Sequence, residues 1–134
     1  EGRGVYRWAN GDVYDGEWKE GRGVYRYAGG DVYDGEWKAG RQEGRGVMRY
    51  ASGDVYEGEW KADKREGRGV YQFAVGEAES GFYKQGARVG EGVKWMADGQ
   101  RAARLRDGKP VEWISLEEAR RTAERLGLPI PSPL

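Results

Sequence analysis

The sequence predicts an all-β protein: an elongated, single-layer antiparallel meander of repeated β-hairpins with one short C-terminal α-helix. Three observations carry this. The hexamer "YDGEWK" stands at 14–19 and 33–38 and returns as "YEGEWK" at 56–61. Around it, residue types alternate with the period of two that marks a half-buried strand. The composition, with 6 Trp, 9 Tyr and 24 Gly but only 37% hydrophobic residues, suits a thin structure with an aromatic apolar layer rather than a thick aliphatic core.

The repeat unit reads Y-x-G-E-W-K, then G-R-G-V-Y-R-Y, then A-x-G-D-V. Tyr14, Tyr33 and Tyr56 open equivalent segments, and Glu79 and Ala102 hold the same place in weaker copies, at spacings of 19, 23, 23 and 23. Each unit carries two strand-like runs. In 12–18, Tyr14, Gly16 and Trp18 alternate with Val13, Asp15 and Glu17. In 22–27, Gly23, Tyr25 and Tyr27 alternate with Arg22, Val24 and Arg26. Between units stand "ANG", "AGG", "ASG" and "ADG", with "AVG" in the fourth copy; a three-residue loop ending in glycine suits a type I turn followed by a left-handed bulge residue.

That loop length sets the register. Tyr6 then pairs with Tyr14, Trp8 with Asp12, Tyr14 with Tyr25 and Gly16 with Gly23. The longer units give Gly35–Gly46 and Gly58–Gly69, and the charged face gives Glu17–Arg22, Glu36–Arg45 and Glu59–Arg68. A two-residue turn would mix the faces, because a one-residue slip moves every side chain to the other side. The short unit lacks four residues, an even number, so "KEG" at 19–21 makes a tight turn without changing face. About ten strands result, extending roughly 45 Å at ~4.8 Å per strand. One face carries Tyr, Gly and Trp; the other carries Val between charged pairs. The glycine pairs leave a lane across which the rings lie.

The fourth copy departs: Glu79 stands for Tyr and Tyr83 for Trp, and Glu79 faces Lys94. The fifth, "RAARLRDG" at 101–108, is vestigial, which is how a terminal repeat decays. The organisation is thus a repeat sheet over 1–108, with three good copies, and a C-terminal segment over 109–134. There "ISLEEARRTAERLG" changes period: Ser115 is an N-cap with Glu118 as its capping-box partner, and Ile114 and Ala119 occupy the staple positions. Leu116, Ala119, Ala123 and Leu126 share one face, and Gly127 stops the helix ahead of Pro129. A helix over 116–126 follows, expected to cover the last strand and block edge-to-edge association, with docking to a partner as the alternative role. A Pro-rich tail ends the chain. The chain opens inside a repeat without Met, which reads as a piece of a longer protein.

These residues resemble the MORN repeat (membrane occupation and recognition nexus). Tyr14, Gly16, Trp18, Gly21, Gly23 and Gly30 match its pattern, as do their counterparts from 33 and 56, and the resemblance covers roughly 1–108. Similar repeats occur in plant phosphatidylinositol phosphate kinases, junctophilins, ciliary radial-spoke proteins, cytoskeletal scaffolds and a SET-type histone methyltransferase. The resemblance therefore implies an interaction module more than any one activity.

Composition narrows the function further. The 23 basic and 23 acidic residues cancel, so no global field draws the chain to nucleic acid or anionic lipid. The arginines among the aromatics each face a glutamate, which argues against a single-stranded nucleic-acid platform. No cysteine and no histidine are present, and no nucleophile stands with a base, so no catalytic residue and no cofactor are assigned. "EGRGVYR" completes no phosphate-binding motif. Asp12, Asp31 and Asp54 lack the clustered oxygen ligands of a calcium loop, and no metal site is assigned. No apolar run is long enough for a transmembrane segment. Absence of cysteine permits a reducing compartment, and the expected location is cytoplasmic, with association to cytoskeleton or membrane.

A single aromatic layer has nothing on top of it, so it forms a groove, dimerises or holds a ligand. The expected function is a non-enzymatic scaffold that presents the exposed rings of Tyr14, Trp18, Tyr25, Tyr33, Trp37, Tyr56, Trp60 and Tyr71 to a partner protein segment or a second copy. The alternative is a phosphoinositide- or anionic-membrane-binding module, a regulatory part of a larger enzyme. Its only basic patch is Arg101, Arg104, Arg106 and Lys109, in a C-terminal region with a small basic surplus.

Overall fold

Among the described residues, eleven antiparallel strands follow one another in a single open sheet whose spatial order is the chain order. They are β1 (Arg3–Arg7), β2 (Val13–Glu17), β3 (Glu20–Arg26), β4 (Val32–Lys38), β5 (Arg41–Arg49), β6 (Val55–Lys61), β7 (Lys64–Gln72), β8 (Ala78–Lys84), β9 (Ala87–Trp95), β10 (Ala102–Arg106) and β11 (Lys109–Ile114), followed by helix α1 (Leu116–Leu126). This computed structural model describes residues 3–17 and 20–131. Trp18, Lys19 and the side chain of Glu17 lie outside the described set, and with them the expected Glu17–Arg22 pair and the turn at 19–21.

The register follows the three-residue loops. Tyr6 pairs with Tyr14, Tyr14 with Tyr25 and Tyr25 with Tyr33. Gly16–Gly23, Gly35–Gly46 and Gly58–Gly69 are direct neighbours across strands. At the first loop the Gly11 N–H donates to the Trp8 carbonyl and the Trp8 N–H to the Asp12 carbonyl, both at 3.0 Å, with Gly11 at φ 101°. This is the type I turn plus left-handed bulge that the loop sequence requires.

Three findings differ from the sequence expectation. The sheet has an eleventh strand, because Asp107–Gly108 form a tight left-handed turn (φ 51° and 82°) that sends Lys109–Ile114 back along β10. The helix lies on the face of the sheet against β9 and β10 rather than along its outer edge. Edge strand β11 carries Pro110 and a bulge instead, and both discourage further pairing. Finally, Glu36 and Glu59 do not pair with Arg45 and Arg68 in the ladder. A bulge after Gly35 sets three residues of β5 against one of β4, and another after Gly58 repeats this between β6 and β7. Each bulge holds a glycine at positive φ, Gly44 (79°) and Gly67 (75°), and the glutamate carboxylate occupies the space beside it. Glu36 Oε1 therefore accepts from the Arg45 backbone N–H (3.0 Å), and Glu59 Oε1 from that of Arg68 (2.8 Å). The ion pair that Glu36 makes is with Arg22 on its other side, at 3.7 Å. The offset is even, so both faces survive it.

The core has two parts. On the aromatic face Tyr33, Met48, Tyr56, Trp60 and Tyr83 form one cluster. Against the opposite face α1 packs Ala119 and Ala123 onto Val93, Trp95 and Ala102, with Ile114, Leu116 and Leu126 around them. The Trp95 indole N–H is buried there without a hydrogen-bond partner among the described residues. Ser115 caps the helix: its Oγ accepts from the Glu118 N–H (3.0 Å), and the Ser115 N–H donates to the Glu118 carboxylate (3.3 Å). Gly127 ends it at φ 72°, and the Leu128 N–H donates to the Ala123 carbonyl (2.8 Å). The Ser80 hydroxyl on β8 donates to the Pro129 carbonyl, and the tail then turns over β5–β7, where Val70 is buried.

Three stability outcomes follow. Gly46→Ala should cost about 1–3 kcal/mol in urea unfolding, because the new methyl would overlap the Tyr33 phenol and overpacked cores lose that much. Gly29→Ala meets nothing within 4 Å and should stay within about 0.5 kcal/mol of the parent. Ser115→Ala should remove about 0.5–2 kcal/mol locally, read as faster amide exchange across 116–126.

Candidate functional site

The tyrosine that opens each repeat lies flat over the glycine lane of the next strand. A Cβ on Gly23, Gly46 or Gly69 would overlap the rings of Tyr14, Tyr33 and Tyr56 respectively. The phenols are anchored, with Tyr33 donating to the Glu36 carbonyl (3.0 Å) and Tyr56 to that of Glu59 (3.1 Å). The tryptophans are anchored too: Trp37 Nε1 donates to the Gly23 carbonyl and Trp60 Nε1 to that of Gly46, each at 3.2 Å. Edge-to-face contacts then run from Tyr14 through Trp37, Tyr33, Trp60 and Tyr56 to Tyr83, with centroids 5.1–5.4 Å apart and planes at 85–89°. Each such pair contributes about 0.5–1.5 kcal/mol beyond its burial.

This corrects the expectation that these rings are exposed. Tyr33 and Tyr56 are fully buried, and Tyr14 and Trp60 nearly so. They are the floor of a groove, because the sheet has only one layer and the rings must cover its backbone. Tyr25, Trp37 and Tyr71 are half-buried. Over the floor an open cavity of about 730 Å³ is lined by Tyr25, Tyr27, Trp37, Met48, Tyr50 and Trp60, with Gln42, Asp63 and Arg65 among its polar groups. A second, about 230 Å³, is bounded by Arg65, Tyr71, Phe73, Tyr83 and Arg88.

The sequence reading missed the row Tyr27, Tyr50 and Phe73, although each immediately precedes a three-residue loop. Tyr25 and Tyr27 stand 4.5 Å apart, Tyr50 stacks on Tyr71 at 5.9 Å, and Tyr71 meets Phe73 at 4.8 Å. It also left the repeated aspartates without a task. Asp12, Asp31 and Asp54 each accept, through Oδ1, the backbone N–H of the next loop's alanine (Ala28, Ala51 and Ala74, at 2.7–2.8 Å). Oδ2 of Asp12 takes the Tyr25 hydroxyl (2.7 Å) and Oδ2 of Asp54 the Tyr71 hydroxyl (2.8 Å). In the fourth copy Lys94 replaces the tyrosine and pairs with Glu77 (3.2 Å) and Glu79 (3.6 Å).

These contacts set the electrostatics. The Tyr25 hydrogen bond holds the Asp12 carboxyl below its ordinary range. Burial, then the nearby carboxylates, pushes the Tyr25 and Tyr27 phenols up to about 12; burial does the same for Tyr83. Burial also raises Tyr33, Tyr56 and Tyr71.

The basic set at the C-terminal end is divided. Arg101 pairs with Asp98 (2.9 Å) and lies over the exposed Trp113 ring (4.9 Å). Arg104 pairs with Glu112 (2.8 Å), and Arg106 stands opposite Lys109. Two of the four charges are thus already met by carboxylates.

A family model described as the MORN repeat matches residues 1–13, 14–32, 33–55, 56–77 and 80–101. The chain belongs to the MORN-repeat family. Its MORN copies begin with a partial unit over β1, and the degenerate copy after Glu79 is still matched. A comparison with curated proteins returns no match. MORN repeats are in general protein- and membrane-interaction modules and are typically non-enzymatic. Among the described residues no helix is long and apolar enough to cross a membrane.

The raised phenols predict an alkaline limit. A folded pKa above the unfolded value near 10 contributes stability that is complete below pH 10 and is lost as pH rises through about 12. Tyrosinate absorbance and β-sheet circular dichroism should therefore change together in that window, with the buried tyrosines ionising as the sheet opens.

Proposed function

We propose that this MORN module is a non-enzymatic scaffold whose aromatic groove over β3–β7 receives a segment of a partner protein. The observation that carries the reading is the open cavity of about 730 Å³ above rings that cannot close it. The floor's phenols and indoles are tied to backbone carbonyls, so the cavity keeps its shape without an occupant. Half-buried Tyr and Trp side chains supply large contact area with few rotors to freeze and a polar tip for orientation. A pre-shaped apolar groove with a few polar groups is the usual form of a binding site. Anionic membrane binding has less support, since Arg101 and Arg104 are already paired with carboxylates.

The test is a selection from a random peptide library on the immobilised protein, with urea midpoints measured for every variant. Recovered peptides should bind Tyr50→Ala roughly tenfold more weakly or worse, the loss typical of a truncated aromatic anchor. They should bind Arg45→Gln and Asp34→Asn, exposed on the opposite face, as they bind the parent. Sedimentation of vesicles containing phosphatidylinositol phosphates and sedimentation velocity of the protein alone examine the other occupants. Peptide binding that ignores Tyr50→Ala yet fails in the opposite-face variants would invert the assignment.

A further inference from the structure

The groove already holds a cation of its own. Opposite the ring at each tryptophan position stands one residue on the aromatic face: Gln42 opposite Trp37, Arg65 opposite Trp60 and Arg88 opposite Tyr83. The Arg65 guanidinium carbon lies 5.5 Å from the Tyr56 and Tyr71 ring centroids and 5.1 Å from that of Tyr83. Its Nη2 donates to the Gly86 carbonyl at 3.4 Å, so a tight turn closes a box of three rings around the charge. Further along, Lys94 Nζ lies 5.8 Å from the Phe73 centroid.

One 23-residue repeat earlier, the same positions are Tyr33, Met48 and Trp60, with Gln42 where Arg65 stands and Asp63 where Gly86 stands. Gln42 is short and neutral, and it is turned aside, its Nε2 donating to the Tyr27 hydroxyl at 3.0 Å. The box therefore lacks its cation, and this is where the large cavity lies. The turn has changed with it. The second residue of the two-residue turn is Gly40, Gly86 and Gly108 in the other described turns but Asp63 here, at φ 69° where glycine is favoured. Asp63 Oδ1 accepts from the Gln42 N–H at 2.8 Å; no described residue bonds to Oδ2.

We infer that the groove binds a basic side chain, arginine above all, from an extended partner segment, seating its cation on Tyr27, Tyr50 and Trp60 against the Asp63 carboxylate. The inference rests on the groove being the docking surface. The chain's own cations show what chemistry this face accepts, with Arg65 over Tyr56, Tyr71 and Tyr83 and Lys94 over Phe73, the counterpart of Tyr50, and a guanidinium over aromatic faces is favoured further by a carboxylate alongside. Charge is complementary at that end: Asp63, Asp12 and Asp31 all act on Tyr27. Arg65 is engaged in its own box, and Lys64 lies beside the same cavity.

The test uses the whole chain and two capped nonapeptides alternating serine with arginine or with citrulline, its neutral isostere. Binding is read from the indole N–H signals of Trp37 and Trp60 by NMR. The arginine peptide should shift both, and the citrulline peptide should bind roughly tenfold more weakly or worse. Asp63→Gly installs the residue that the other turns use, so it should fold, and it should weaken the arginine peptide about fivefold or more. Gln42→Arg, which supplies the missing cation internally, should block it. Equal binding of the two peptides, no binding of the arginine peptide, or full binding by Asp63→Gly would overturn the cation seat. Equal binding that still shifts the two indoles would leave the groove reading standing. Shifts confined to Val24 and Val47 on the opposite face would remove the groove reading itself.

Discussion

Everything in this sheet depends on the tyrosine ring laid over a glycine lane. A single layer has no second layer to bury its backbone, so it must be roofed from within. Gly23, Gly46 and Gly69 present bare backbone, and Tyr14, Tyr33 and Tyr56 lie against it so closely that a methyl group would not fit. The Tyr33 and Tyr56 phenols then reach carbonyls, and Trp37 and Trp60 pack edge-on against the neighbouring tyrosines. One ring thereby covers backbone, satisfies its own hydroxyl and contacts the next repeat.

Cohesion between repeats follows from the same arrangement. A repeat touches only its neighbours, so stability is a sum of interfaces. The aspartates contribute by holding the following loop through its alanine N–H and, in two copies, the tyrosine hydroxyl. The glutamates contribute by taking a backbone N–H inside the bulge. Both carboxylates act on backbone donors, where a charge-assisted hydrogen bond is worth more than an exposed ion pair. Toward the C-terminus this system changes over: Lys94 with Glu77 and Glu79 replaces a phenol on an aspartate, and α1 covers the opposite face.

The groove is a by-product of that roofing. Rings pinned to carbonyls cannot tilt to fill the space between successive rows, and the space stays open where the chain supplies no side chain of its own. Arg65 fills it in one repeat and Gln42 leaves it empty in the preceding one. Variation at one position opposite the tryptophan thus decides which segment of an otherwise regular array can hold an occupant.

The architecture is legible in the order of residues alone. Loop length and the period of two allow one self-consistent register, and the pairs Tyr14–Tyr25, Gly16–Gly23 and Gly35–Gly46 follow from parity alone. The capping box at Ser115 and Glu118 was equally legible, because capping is a local exchange between residues three apart. Depth and partner are set only by the folded sheet. Parity assigns a ring to a face but says nothing of how far it lies down on that face, so Tyr33 and Tyr56 read as exposed although neighbouring repeats bury them completely. Nor does parity see a bulge with an even offset, which moved Glu36 and Glu59 onto backbone N–H groups. The cage around Arg65 draws its three rings from β6, β7 and β8, and the landing of α1 on β9 and β10 joins segments that no local pattern connects. Such contacts are set by how successive strands stack and how far each side chain reaches, and those quantities exist only once the sheet has formed.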